Sequence, residues 1–175
     1  MTKARDLATS GPDLGLVHIK TESFSGTASH SIDDVFSATY DYYKIFISAT
    51  ADADRDFLFR IRASSSDLTT GTYGYVFTTI SQTGGTGTSG NSGTATSAQI
   101  GDLHSTNPIN LELHIFNPFL SSITGLGFFG GVKRTNFNQL NGSAYVNNTN
   151  SYDGFTVYPS SGNMTGKISI FGVKK

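Results

Sequence analysis

The chain has 175 residues, one domain's worth. Ser, Thr, Gly and Asn fill 75 positions while charged residues make up only 14%, against a usual share of about 25%; this excludes a helical bundle or coiled coil and favours strands joined by polar turns. The net charge is -1, with no basic cluster larger than Lys133-Arg134 or Lys174-Lys175, which argues against a nucleic-acid partner and gives no steering toward acidic membranes.

In chain order, residues 1–14 stand apart as a polar arm or linker that ends in Ser10-Gly11-Pro12-Asp13, a turn signal. It is either a floppy tail or an anchoring arm that orders on a partner, with Lys3, Arg5, Asp6 and Leu7 as the anchoring candidates. Residues 15–175 read as a single domain of strand after strand. Leu16–Phe24 alternates, with Val17, Ile19 and Thr21 on one side. Tyr40–Ala49 is an aromatic and β-branched run. Phe57, Phe59 and Ile61 alternate with Leu58, Arg60 and Arg62. Thr72–Ile80 is again strand-like.

Residues 81–99 are low-complexity Gly, Thr and Ser with no side chain able to build a core, and predict a long functional or mobile loop. Farther on, Ile109, Leu111, Leu113 and Ile115 share one face, opposite Asn110, Glu112, His114 and Phe116. Phe155 and Val157, then Ile168 and Ile170, close the pattern. Period-two alternation marks half-buried strands. Eight to ten of them with turns between predict an all-β fold, an antiparallel, jelly-roll-like β-sandwich.

No reaction emerges from the residues. Cysteine is absent, so no disulfide, thiolate metal site or Cys nucleophile is available. Asp52-Ala53-Asp54-Arg55-Asp56 opens like a calcium loop, but Phe57 stands where the turn glycine belongs and Ala63 where a bidentate Glu belongs; a hairpin turn with solvated carboxylates fits better than a weak cation site. His18, His30, His104 and His114 form no metal-binding spacing, and Glu22 and Glu112 are the only glutamates. The expectation is therefore no catalytic residue, no metal and no cofactor. One segment suits a ligand. Tyr145, Asn147, Asn148, Asn150 and Tyr152 combine flat aromatics with amides, a pairing that suits sugar faces and hydroxyls; a polar turn between strands is the plainer alternative. The first residues carry no apolar secretory segment, and no apolar run is long enough to span a bilayer as a helix.

Several segments in order carry a resemblance. They are Gly15-Leu16-Val17-His18-Ile19, Val35–Ile45, Leu58-Phe59-Arg60-Ile61-Arg62, Ile115-Phe116-Asn117-Pro118-Phe119, Tyr152-Asp153-Gly154-Phe155, Pro159-Ser160-Ser161-Gly162 and Thr165–Gly172. Together, over roughly residues 15–173, the set resembles a β-sandwich domain of virion proteins from marine and environmental tailed bacteriophages. The segment Ala4-Arg5-Asp6-Leu7-Ala8 resembles leaders of phage fibre proteins.

The resemblance implies a non-enzymatic protein on the virion surface, made in the host cytoplasm. It would be either a tail-fibre-like adhesion module contacting host-surface polysaccharide, or a capsid decoration or head-fibre protein held to other virion proteins through residues 1–14. It implies a homo-oligomer, with a trimer favoured; in the sequence the Phe116 face and the apolar Leu126–Phe129 stretch are the candidates for its contacts. It also implies that Phe36 and Tyr40 are core aromatics, that Asn117-Pro118 ends a strand, and that Gly154 and Gly166 are turn glycines.

Overall fold

A computed structural model describes residues 15–174, the side chains of Ser92 and Lys174 excepted. The anchoring candidates Lys3, Arg5, Asp6 and Leu7 lie outside the described residues. Thirteen strands follow one another: β1 (Leu16–Thr27), β2 (His30–Ile32), β3 (Tyr40–Ala51), β4 (Arg55–Ala63), β5 (Ser66–Asp67), β6 (Tyr73–Ser81), β7 (Thr86–Ala95), β8 (Ala98–Leu103), β9 (Ile109–Phe116), β10 (Thr124–Lys133), β11 (Phe137–Val146), β12 (Gly154–Pro159) and β13 (Met164–Lys174). All pairings are antiparallel.

The large sheet runs β1-β13-β3-β9-β10-β11-β6-β7, and the small one runs β2-β12-β4. Two strands share the far edge of β4, with β8 along Arg55–Phe59 and β5 at Arg62–Ala63. Without β5 and the strands β6, β7, β10 and β11, two layers of four remain, β1-β13-β3-β9 and β2-β12-β4-β8. The chain crosses between these layers at every step except β4 to β8. That is the strand order of an eight-stranded jelly roll. The two inserted hairpins widen one layer to eight strands.

The inward positions of both sheets form one core. Tyr43, Ile45, Phe57, Phe59, Ile61, Tyr73, Leu113 and Phe155 are all fully buried. A chain of rings crosses it: Phe36 meets Tyr43 edge-on at 4.7 Å and stacks near Phe155 at 5.9 Å, which stacks on Phe59 at 5.7 Å. Each buried ring removes about 150–250 Å² from water, so the seven Phe and three Tyr buried among the described residues compensate for few aliphatics. Phe36 is core as expected, and Tyr40 packs against the core from a half-buried position. Asn117, at φ 57°, turns the chain after β9.

Three expectations need correction. Residues 81–99 do not form one long loop: Thr86–Ala95 pairs along β6, and β8 begins at Ala98. Backbone bonding makes β7 a strand at the sheet's edge, where a core-facing side chain is not required. Gly154 opens β12 and Gly166 lies inside β13, so neither is in a turn. A Cβ at Gly154 would fall 2.2 Å from the Ile32 carbonyl oxygen, and one at Gly166 would fall 2.4 Å from that of Ser48. Thr21 does not share a face with Val17, because the register with β13 shifts between His18 and Lys20, and the bulge at Ile19 reverses the alternation.

Candidate functional site

Among the described residues, no strand covers the outer face of the large sheet. Cross-strand register builds it in rows. One row runs Ser169, Phe46, Glu112, Phe129, Asn141 and Thr78 across β13, β3, β9, β10, β11 and β6. The next runs Lys167, Ser48, Asn110, Gly131, Gln139 and Ile80. Phe46, Phe116, Phe129, Phe137 and Tyr145 on this face are all at least 40% exposed. So much exposed aromatic area makes this face the candidate binding surface.

Two of these rings lie across glycines. A Cβ on Gly74 would fall 2.3 Å from Tyr145 Cε1, and one on Gly131 would fall 2.5 Å from Phe137 Cζ. The missing side chains let each ring settle against the neighbouring strand. One side then rests on backbone while the ring remains about half open to solvent, at 40% for Tyr145 and 47% for Phe137.

Three depressions open along the large sheet, and the first two combine outward aromatics with an amide. The first, of about 430 Å³, is lined by Phe46, Phe129, Asn110, Glu112, Lys167 and Ser169 among others. The second, of about 410 Å³, lies across Phe129 and adds Phe137 and Gln139. The third, of about 290 Å³, has Val76, Ser143 and Tyr145 as its outward lining, while Tyr75, Asn91 and Ala144 belong to the row that faces the core side. The first two fall within the range typical of small-molecule sites.

A polar relay borders the first depression. The Glu112 carboxylate accepts from Lys44 Nζ at 2.7 Å and sits 2.6 Å from His114 Nε2, while His114 Nδ1 meets the Tyr42 hydroxyl. The hydrogen bond from Lys44 holds the Glu112 carboxyl below its ordinary range and raises Lys44 in turn. Tyr42 stacks on Phe116 at 4.9 Å. The relay is thus a neutralised, cross-linked patch between the exposed rings.

Of the sugar-binding candidates, Tyr145 lies on this face. Tyr152 is 2% exposed and has no ring face to offer. Asn147, Asn148 and Asn150 shape the connection after β11. The Asn147 N–H donates to the Thr72 carbonyl at 2.8 Å, and the Asn148 side chain accepts from Asn150 N–H at 2.9 Å. The segment is a polar turn, and it does not gather its two tyrosines.

Sequence reasoning did not single out Phe46, Asn110, Phe137, Gln139 or Lys167 as ligand contacts. Their common signal is an outward position on an alternating strand.

Two other polar groupings have structural work. Arg62 bonds Asp33 Oδ1 at 2.7 Å, Ser31 Oγ at 3.1 Å and Thr156 Oγ1 at 3.0 Å, and also Asp67 and the Ser65 carbonyl. It ties β2, β4, β5 and β12 together. Asp52 accepts from Asn163 N–H at 2.9 Å and fixes the turn between β3 and β4 to the loop before β13. Among the described residues, no group of three or more His, Asp or Glu is placed to hold a metal ion.

No protein-family model, curated protein or solved structure matches this chain. What the face does must be argued from its own chemistry.

Proposed function

We propose that this chain is a non-enzymatic surface module of a tailed-phage particle, an adhesion domain that grips host-surface polysaccharide with the outer face of its large sheet. The sequence resemblance supports the phage setting. The observation that carries the binding reading is the repeated pairing of exposed rings with an amide in two adjoining depressions, Phe46 and Phe129 with Asn110 and Phe137 with Gln139. A sugar presents an apolar ring face and a rim of hydroxyls. A half-open aromatic takes the first, and an Asn or Gln, which both donates and accepts, takes the second. The polar residues between the rings also set this face apart from an obligate subunit interface, whose centre is more apolar.

The test is a bacterial polysaccharide array probed with the purified chain, its Phe129→Ala and Phe137→Ala variants, and labelled antibody on intact particles. Binding by the parent chain that both variants weaken is the expected result. A blank array, with antibody decorating heads rather than tails, overturns adhesion in favour of a capsid coat.

A further inference from the structure

The depression between Phe46 and Phe129 is built differently from its neighbours. Both rings flank Glu112 in one cross-strand row. They therefore rise from strands two positions apart, about 10 Å at ordinary strand spacing. Asn110, Ser48 and Ser169 supply hydroxyl and amide groups along the lining.

The charges do not cancel. Glu112 is held by Lys44 at 2.7 Å and by His114 at 2.6 Å. Lys167 also lines the depression and is exposed. Among the described residues its ammonium joins no ion pair and no hydrogen bond. The site thus holds one cation beyond what its own carboxylate balances. The other two depressions are lined by no charged residue. A lysine is a compact point charge on a flexible stem, able to meet a single carboxylate without fixed planar geometry.

Resting on the glycan reading above, we propose that this depression is a subsite for an acidic sugar, a hexuronate unit of a polysaccharide. Its ring sits between Phe46 and Phe129, its hydroxyls bond Asn110 and the serines, and its carboxylate pairs with Lys167. The adjoining depression, which shares Asn110 and Phe129, then takes the next unit of the same chain. Electrostatic selection of this kind sets which glycan is accepted more than how tightly any glycan is held.

The experiment uses the full chain and two probes, oligomers of a hexuronate and the same oligomers with every carboxyl methyl-esterified. Titration calorimetry gives affinities for the parent chain, Lys167→Gln and Phe129→Ala. The parent should prefer the acid form by about tenfold, the scale of one charged hydrogen bond. The preference should shrink as salt is raised. Lys167→Gln should lose the preference while keeping its affinity for the ester, and Phe129→Ala should weaken both probes alike. Lys167 is exposed, so an unchanged melting temperature checks that its variant is folded. Equal binding of both probes by the parent overturns the acidic subsite and leaves adhesion standing, as does a preference that survives in Lys167→Gln. Failure to bind either probe or any array glycan overturns both.

Discussion

Tyr73 stands on an inserted hairpin, yet its hydroxyl reaches across the core to the jelly roll. It donates to the Leu68 carbonyl at 2.9 Å and accepts from the Ile61 N–H of β4 at 3.0 Å. The residue is fully buried. Tyr73→Phe removes one oxygen and leaves the ring in place. Two hydrogen bonds worth about 1 kcal/mol each are lost, and the Ile61 N–H is left buried without an acceptor at a cost of about 1–3 kcal/mol.

The new side chain no longer has a hydroxyl to desolvate, so the net loss should be about 2–3 kcal/mol. For a domain of this size that lowers the melting midpoint by about 4–12 °C. Urea denaturation followed by circular dichroism measures it, with Tyr75→Phe as control. Tyr75 is half-buried two residues along the same strand, and its change should stay within about 0.5 kcal/mol.

Burial also raises the Tyr73 phenol above its ordinary value of 10.0. A raised folded-state value means stability is intact below the unfolded value and falls as pH climbs past it. Alkaline unfolding should therefore be shallower in the variant. A Tyr73→Phe protein as stable as the parent at neutral pH and equally sensitive to alkali would refute the bridging role.

Other substitutions test other parts of the framework. Asp102 lies across from Asp56 in the β4–β8 register, and burial, ahead of the opposing pull of Arg134, raises its carboxyl above the ordinary range. Asp102→Asn should stabilise by about 0.5–1 kcal/mol at neutral pH. The gain should fade on acidification, because the native carboxyl takes up its proton before the unfolded one does; a gain that grows toward acid contradicts this. Arg62→Met strands Asp33 and Asp67 and should cost about 3 kcal/mol, the low end for a broken buried pair because both carboxylates still reach solvent. Adding Asp67→Asn should recover part of the loss, and a double variant no better than the single one would show that the pairing contributes nothing.

The parts of this fold that show in the sequence are those where alternation is backed by bulky side chains. Ile109–Phe116 is a strand of the stated limits, with Leu111 and Leu113 inward and Glu112 and His114 outward. β10 and β11 are less visible. Gly125, Gly127, Gly130 and Gly131 erase the period in β10, and Asn138, Gln139, Asn141 and Ser143 dilute it in β11. Those strands are held by neighbours on both sides, a tertiary effect that local propensity does not record. β7 is the extreme case, because pairing with β6 alone organises a Gly/Thr/Ser stretch.

The candidate site follows the same logic. The outward row of β9 could be read from the sequence, but its flanking partners could not. Phe46, Phe129 and Lys167 meet Asn110 only because the jelly-roll order places β13, β3 and β9 side by side and the inserted β10 pairs with β9. Tyr145 and Tyr152, close in sequence, are separated by the turn between β11 and β12, which sends one to an outer face and the other into the core.

The pairing of the first strand with the last has a mechanical meaning. Leu16 lies opposite Val173, so both ends of the domain leave from one corner. Tension applied between those ends would open β1 from β13 one ladder bond at a time, like a zip, and would need little force. Tension between one end and a ligand held on the outer face runs across the sheet instead and loads many strands at once. A domain tethered at that corner and gripping through its face would yield readily to the first kind of pull and resist the second.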